Sequence, residues 1–271
     1  ITTNINDLYD CDCVFICSPN ETHLDYIKIF NPNSYIFCEK PPVGNTAQLS
    51  ELKKMNLSKV YFNFNLRRSL ICETIKELKP KLGKLYYGNV CMSHGLASKQ
   101  DYCNSWRSDI NKCKSGVLEI VAIHAVDLLK YLFKLKVENV KLNINSNIGT
   151  APDTSIVSMS NNHCNVNIFA TYYGPYYMNW NLVFEHGYIN IDDSSIRIYF
   201  PRDTFDDDGL FTSPPLFKEY ENEVTVAFKE KGEFENEWKL ERFMRNLNLN
   251  KEDNSLFILT SNQRYFLYRN G

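Results

Sequence analysis

Residues 12–65 alternate between short apolar runs and helical patterns, and this alternation constrains the fold more than any other feature of the sequence. The apolar runs lie at 12–17, 34–38 and 59–65, and the two segments between them carry apolar residues at helical spacing. Continuous apolar runs are typical of strands that are buried on both faces. The order strand, helix, strand, helix, strand with short connections therefore predicts a parallel sheet covered by helices, as in α/β folds.

Two polar segments follow the first two of these strands. Residues 18–23 come directly after the first strand, and residues 39–42 come directly after the second. The carboxyl ends of parallel strands meet at one edge of the sheet, which is where α/β domains bind their ligands. We therefore expect these two segments to form a binding site together.

The second part of the chain has a different pattern. Residues 115–133 carry apolar side chains over most of a helical circumference, which predicts a buried helix. Several strand-like runs follow between residues 137 and 200, with turn residues but no long helix among them. They predict an α+β domain with a large open antiparallel sheet, and a last helix over 235–247. We therefore divide the chain into one domain over residues 1–66 and another over 67–271.

Composition and charge exclude several classes of partner. The 30 Lys and Arg and 32 Asp and Glu give a formal net charge of −2, so no global basic field attracts nucleic acid or an anionic membrane. No run approaches the roughly 20 apolar residues that cross a bilayer, and the first residues do not resemble an export leader. We expect a cytoplasmic protein that has neither nucleic acid nor membrane as partner.

The nine cysteines are an odd number and lie in apolar, strand-like stretches. Cys11, Cys13 and Cys17 alternate along the first predicted strand, which is more typical of thiols in a core than of metal ligands. We therefore expect reduced thiols and no metal site.

The segments Ser18-Pro-Asn-Glu-Thr-His23 and Glu39-Lys-Pro-Pro42 resemble two strand-end motifs of the Gfo/Idh/MocA oxidoreductases. The 16 positions from His23 to Glu39 leave room for the one helix and one strand that separate these motifs in the family. Further segments resemble the family in the same order along the chain. These are Val60 to Arg68, Trp106 to Asp109, Gly116 to Asp127 and Phe184 to Asp192.

The resemblance implies a truncated Rossmann-like domain followed by a substrate and oligomerisation domain. It also implies an oxidoreductase that uses NAD or NADP, acts on sugars, sugar nucleotides or polyols, and forms homo-oligomers. Removing hydride from a secondary alcohol requires a base for the hydroxyl proton and a positive charge beside the developing alkoxide.

By the same resemblance, Lys40 supplies the charge or relays the proton, and His124 is the general base. The residues that would line the cofactor are Ser18, Pro19, Asn20, His23, Glu39 and Pro41. Those that would bind the substrate are Trp106, Arg107 and Asp127.

Other interpretations of these residues stay open. A charged pair at a strand end is often only a solvated rim, and a lone histidine on an apolar helix is often a core residue. Asp127 either orients the ring of His124 or caps the polar edge of the helix.

Many relatives carry an aspartate four residues before the histidine, where this chain has Ile120. Glu119 would lie about 140° from His124 around an α-helix, so it is a poor substitute. The third catalytic role is unassigned, and two alternatives follow: a non-catalytic relative that senses a ligand or regulates, and a decayed gene piece without function.

The family's glycine-rich dinucleotide turn should precede residue 12, and the 11 residues before it cannot hold such a turn. We therefore expect an N-terminal truncation of roughly 50 or more residues, by the size of a βαβ unit. The residue that selects NAD or NADP should lie in that segment. We expect the isolated chain to be inactive and to bind nicotinamide cofactors poorly.

Overall fold

The computed structural model describes residues 4–200, 205, 207–210, 256–260 and 265–268. The helix that the sequence predicts over residues 235–247 lies outside the described residues. The helices and strands are, in chain order, β1 (Cys13–Cys17), α1 (His23–Phe30), β2 (Tyr35–Cys38), α2 (Thr46–Leu52), β3 (Val60–Phe62), α3 (Leu70–Leu82), β4 (Leu85–Ser93), α4 (Ile123–Phe133), β5 (Lys136–Asn143), β6 (Thr154–Ser160), β7 (Asn165–Thr171), β8 (Tyr177–Phe184), β9 (Gly187–Ile191), β10 (Ile196–Tyr199), β11 (Leu256–Thr260) and β12 (Tyr265–Tyr268).

The chain divides into two compact units. The first comprises residues 1–65 and 232–271, and the second comprises residues 66–231. The sequence analysis divided the chain after residue 66 but assigned the C-terminal segment to the second domain. The difference arises because β11 and β12 are members of the first sheet.

The first unit contains a sheet with the strand order β12-β11-β1-β2-β3. As the sequence predicts, β1, β2 and β3 are parallel neighbours. Strand β11 is also parallel to β1, in a register that pairs Cys13 with Leu256 and Cys17 with Thr260, whereas β12 is antiparallel to β11. The expected α/β class is confirmed.

Side chains of β1 are buried on both faces of this sheet. Val14 and Ile16 pack in a cluster with Leu24 and Ile27 of α1, and Phe15 packs on the opposite face. This two-sided burial explains why β1 is a continuous apolar run rather than an alternating one. Burial makes ionisation costly and raises the pKa of Cys13 to about 12, so this thiol stays neutral.

The second unit contains a seven-stranded sheet with the order β10-β9-β8-β4-β7-β6-β5. All neighbouring strands are antiparallel except β4 and β7, so the sheet is mixed rather than purely antiparallel. The chain leaves β4, passes through α4 and returns by the β5–β6–β7 meander, whose third strand runs in the direction of β4. The predicted large sheet is thus confirmed, with one parallel pair that the sequence pattern did not indicate.

A buried helix packs on one face of this sheet, as predicted. Its apolar side is completely buried at Ala122, Ala125, Leu128 and Leu129, which share one core with the inward side chains of the strands. Residues 118–122, directly before α4, form a π-helical turn.

All nine cysteines lie in the described part of the chain and are thiols, most of them buried. Within the same described residues, no helix is long and apolar enough to cross a membrane, and no group of three or more potential ligands is placed to hold a metal ion.

Candidate active site

The loops that follow β1 and β2 lie at one edge of the first sheet. Because Ile16 is paired with Cys38, Ser18 and Glu39 both come just past the carboxyl ends of neighbouring strands. Ser18, Glu39 and Lys40 are half-buried, so each presents part of its surface to solvent. The structure therefore brings together the two segments that the sequence analysis selected.

The first loop is a compact turn. Asn20–Thr22 forms a 3₁₀ turn that leads into α1. Thr22 Oγ1 lies 2.6 Å from Ser18 Oγ and 2.8 Å from the carbonyl oxygen of Pro19. Asn20 is buried, with 5% of its surface exposed, whereas Ser18 and Pro19 are more accessible.

His23 lies completely buried beneath both loops. Its Nδ1 is 2.9 Å from the carbonyl oxygen of Pro41, and its Nε2 is 2.9 Å from the carbonyl oxygen of Ser18. Burial lowers the pKa of His23, although both carbonyl contacts and the charge of Glu39 oppose this effect. The imidazole thus connects the backbones of the two loops from inside the protein.

Two further side chains hold the second loop, and the sequence analysis did not select either of them. Asn63, just after β3, donates a hydrogen bond of 2.6 Å from Nδ2 to Glu39 Oε1. Gln48 of α2 accepts a hydrogen bond from the Gly44 amide and donates one to the carbonyl oxygen of Glu21. The sequence analysis placed Asn63 inside the third apolar run over residues 59–65, whereas β3 ends at Phe62, so its position after the strand became evident from the structure.

The remaining predicted residues belong to the second unit. His124 is half-buried in the first turn of α4, and Trp106 and Arg107 lie in a 3₁₀ turn over 106–108. The Arg107 guanidinium stacks 4.5 Å from the centroid of the Trp106 ring. Ser108 anchors this turn, because its carbonyl oxygen accepts hydrogen bonds from the amides of residues 150 and 151.

Asp127 forms a bidentate ion pair with Arg67. Arg67 Nε lies 2.7 Å from Asp127 Oδ2, and Nη2 lies 2.5 Å from Oδ1. The carboxylate is 10% exposed and the guanidinium is 42% exposed. The bond to Asp127 raises the pKa of Arg67, and the guanidinium also lies over the Tyr131 ring. The carboxylate that was expected to orient His124 or bind substrate is therefore bound to an arginine in this structure.

The π-helical turn before α4 changes the expected position of Glu119. In this turn the amide of Ile123 donates to the carbonyl of Leu118, five residues earlier. Residues five apart here lie one turn apart, so Glu119 precedes His124 by one helical turn and the α-helical angle of about 140° does not apply. Glu119 Oε1 accepts a hydrogen bond of 3.1 Å from the amide of Ser115.

Glu119 lies beside buried groups of the same unit. Burial raises the pKa of the Cys113 thiol, and the hydrogen bond and charge of Glu119 raise it further. Tyr172 is completely buried, and its pKa is raised chiefly by that burial. Within each unit, the predicted site residues therefore have the contacts described above. The convergence of Lys40 with His124 on one site stays a prediction.

Comparison with known proteins gives a family match for the N-terminal part of the first unit. Residues 2–59 match the model of the Gfo/Idh/MocA oxidoreductase family, which is described as having an NAD-binding Rossmann fold. This range contains β1, β2 and both site loops. The comparison with curated proteins gives no match.

Solved structures have the same fold at low sequence identity. A levoglucosan dehydrogenase in complex with NADH and levoglucosan has a TM-score of 0.66 and 20% identity, over 79% of this chain and 65% of that one. An inositol dehydrogenase homolog complexed with NAD+ from Azotobacter vinelandii has a TM-score of 0.62 and 14% identity, over 71% of this chain and 55% of that one. An NAD binding oxidoreductase from Klebsiella pneumoniae has a TM-score of 0.64 and 17% identity, over 74% and 60%.

The chain thus spans less than two thirds of the length of these three proteins. The resemblance seen in the sequence is confirmed to this extent: residues 2–59 match the Gfo/Idh/MocA oxidoreductase family model, and the chain shares its fold with these solved dehydrogenase and oxidoreductase structures.

Proposed function

We propose that this chain is part of an NAD- or NADP-dependent oxidoreductase that transfers hydride between nicotinamide and a CH–OH group of a sugar, sugar nucleotide or polyol. The observation that carries the proposal is the pair of loops at the carboxyl edge of β1 and β2, which present Ser18, Glu39 and Lys40 together. The levoglucosan bound in the levoglucosan dehydrogenase structure supports the substrate class, and the NAD+ bound in the inositol dehydrogenase homolog supports the cofactor. The reduced thiols support a cytoplasmic location.

The residues at this edge fit the nicotinamide end of such a cofactor. The Ser18 hydroxyl and the Glu39 carboxylate are partly accessible, and they are suited to bind ribose hydroxyls and a carboxamide. When bound, the nicotinamide ring supplies the hydride chemistry. None of the described parallel strands is followed by a glycine-rich turn, so we propose that residues 1–271 alone bind the cofactor weakly and are inactive.

In this mechanism the protein binds the substrate and moves one proton. A ring nitrogen of His124 takes the proton of the reacting hydroxyl, and Lys40 Nζ stabilises the negative charge that develops on its oxygen. Arg107 binds other substrate hydroxyls. Glu119, one turn before His124, supplies the negative charge that stabilises the protonated imidazole, the role for which the α-helical spacing left no residue.

Replacement of Lys40 by alanine in the natural protein tests this function. An enzyme should lose turnover of the substrate polyol by roughly 10²- to 10⁴-fold, while NADH binding and the melting temperature stay near wild type. Lys54→Ala removes an exposed lysine from the same unit and is the control. Full turnover by Lys40→Ala would rule out the mechanism.

The Lys40→Ala variant also distinguishes the enzyme from an alternative function. Ile120 stands where relatives carry an acidic residue, and Asp127 is bound to Arg67, which favours a relative that binds the ligand without converting it. Such a protein would show no turnover in either form, and Lys40→Ala would retain the wild-type response to the ligand.

We also propose that the protein is a homo-oligomer that associates through the open face of the second sheet. A row of amide and hydroxyl side chains crosses this face in register. The row is Asn190, Asn181, Asn89, Asn167, Ser158 and Asn139, on six neighbouring strands. Asparagine is both donor and acceptor, so the row of one copy can pair with that of another.

The apolar residues beside this row are partly exposed. Tyr87, Ile156, Phe169 and Val183 expose between 38% and 45% of their surface. Six strands of about seven residues measure roughly 29 Å by 24 Å, or about 700 Å². A standard interface buries about 800 Å² per partner and is poor in charged residues, so this face matches a second copy in size and chemistry.

A further inference from the structure

We infer that His23 and Gln48 are positioning residues that hold the two cofactor loops in one arrangement. This inference rests on the proposed cofactor site at that edge. Neither residue needs to touch the cofactor, because both bind the loop backbones. We call the two side chains together the loop brace.

The His23 contact joins the loops from below. Ser18 O and Pro41 O belong to different loops, and one ring nitrogen lies 2.9 Å from each oxygen. The imidazole is completely buried, so it acts through these carbonyls. A neutral imidazole has one N–H and donates to one of them, whereas the protonated ring donates to both.

The Gln48 contact joins the same loops from the helix that follows them. Its Oε1 accepts a hydrogen bond of 2.9 Å from the Gly44 amide, and its Nε2 donates one of 2.8 Å to the carbonyl oxygen of Glu21. The backbones are already in close approach, since a Cβ at Gly44 would lie 3.0 Å from Glu21 Cα. One side chain therefore fixes the spacing between Glu21 of the first loop and Gly44, two residues past the second loop.

The loop brace explains how two separate turns act as one surface. At the strand edge the Glu39 amide donates to the carbonyl oxygen of Ile16, and beyond that edge the brace links the two turns. A cofactor that contacts both turns requires a fixed distance between them. Without the brace, the loops would become ordered only when the cofactor binds. The entropic cost of that ordering lowers the affinity for the cofactor. We expect a loss of about tenfold in affinity for NADH.

The test compares His23→Phe and Gln48→Ala with Ser34→Ala in the natural protein. Ser34 is also buried in the first unit, and its Oγ donates a hydrogen bond of 2.6 Å to the carbonyl oxygen of Cys11, at the opposite end of the strands. The measurements are the dissociation constant for NADH well below the melting temperature, and amide hydrogen exchange in the loops. If His23→Phe fails to fold, Gln48→Ala still tests the inference, because it leaves the buried core unchanged.

The two brace variants should weaken NADH binding about tenfold and speed exchange at the Thr22 and Gly44 amides. Ser34→Ala should lower the melting temperature while leaving both measurements unchanged. Wild-type affinity and exchange in the brace variants would overturn the inference. If the wild-type protein itself does not bind NADH, the proposed function fails, and hydrogen exchange alone decides whether the brace exists.

Discussion

At the scale of single residues, His23 lies beneath the proposed site instead of lining it. The sequence motif places it among the cofactor residues, but the structure buries it completely under the loops. Its two partners are backbone carbonyls, so other residues at positions 18 and 41 would preserve the contacts. The two contacts therefore depend on the imidazole ring of His23 and not on the side chains at positions 18 and 41.

The burial of His23 predicts a pH-dependent contribution to stability. Because burial lowers its pKa, the unfolded chain binds a proton more readily than the folded protein. The contribution is present above the ordinary histidine pKa of about 6.5 and is lost as the pH falls below it. Urea unfolding at pH 5 and pH 7.5 should show a smaller pH difference for His23→Asn than for wild type. An unchanged difference would contradict this assignment.

Arg67 and Asp127 predict a measurable but modest coupling. The arginine is 42% exposed, so screening by solvent limits the pair to roughly 0.5–1 kcal/mol. Arg67→Ala, Asp127→Ala and the double variant form a cycle that isolates this energy from unfolding curves. Arg67→Lys should lose most of the coupling, because an ammonium cannot make both bonds. A coupling energy of zero would show that the pair does not restrain α4.

Sequence reasoning identified residues by local strings, and this explains what it found and what it missed. Ser18 and Lys40 stand at strand ends, so a pattern of short runs reveals them. Gln48 bonds with a residue 27 positions away, and Arg67 with one 60 positions away. A single sequence contains no local signal for such contacts.

At the scale of elements, the π-helical turn before α4 is the main departure from the sequence analysis. Periodicity over residues 115–133 predicts a buried helix, and that helix is present. The periodicity assumes about 3.6 residues per turn, and a five-residue turn has no distinct apolar pattern. The angular position of Glu119 could therefore be read only from the structure.

Glu119 should contribute to turnover if the π-helical turn places its charge as proposed. Glu119→Gln should reduce kcat at least tenfold and lower the pKa seen in the acid limb of the kcat/KM profile, since His124 loses a nearby negative charge. Glu119→Asp should retain part of the activity. Glu138→Gln is the control, because Glu138 on β5 also accepts a hydrogen bond from a neutral donor, Ser160. An unchanged pH profile would assign Glu119 to helix capping alone.

The strands between residues 13 and 200 were well predicted because their sequences carry apolar patterns, whereas the sequence analysis named no strand over residues 256–268. The order of the strands within the sheet was harder to predict, since β4 pairs with β7 and the chain passes through α4, β5 and β6 between them. The two last strands, β11 and β12, join a sheet that begins near residue 13. Pairings over such distances depend on topology rather than on local propensity.

At the scale of the whole molecule, the open face of the second sheet predicts the oligomeric state. Asn89→Asp adds one charge at the centre of this face without changing its shape, and burying an unpaired charge between two copies is costly. Sedimentation should show an oligomer for wild type and a monomer for Asn89→Asp. Asn33→Asp, on an exposed turn of the other unit, is the control and should remain an oligomer. Identical sedimentation of both variants would place the interface elsewhere.

The pairing of β11 with β1 has a consequence for how the chain is made on the ribosome. The partners of Cys13 to Cys17 are Leu256 to Thr260, so this edge of β1 can pair with β11 only after the long intervening segment has been synthesised. At 5–20 residues per second, that delay after β3 emerges is about 10 to 40 s. During this time the edge of β1 that later pairs with β11 is unpaired, and unpaired strand edges are prone to aggregation, so we expect chaperones to bind the nascent sheet there.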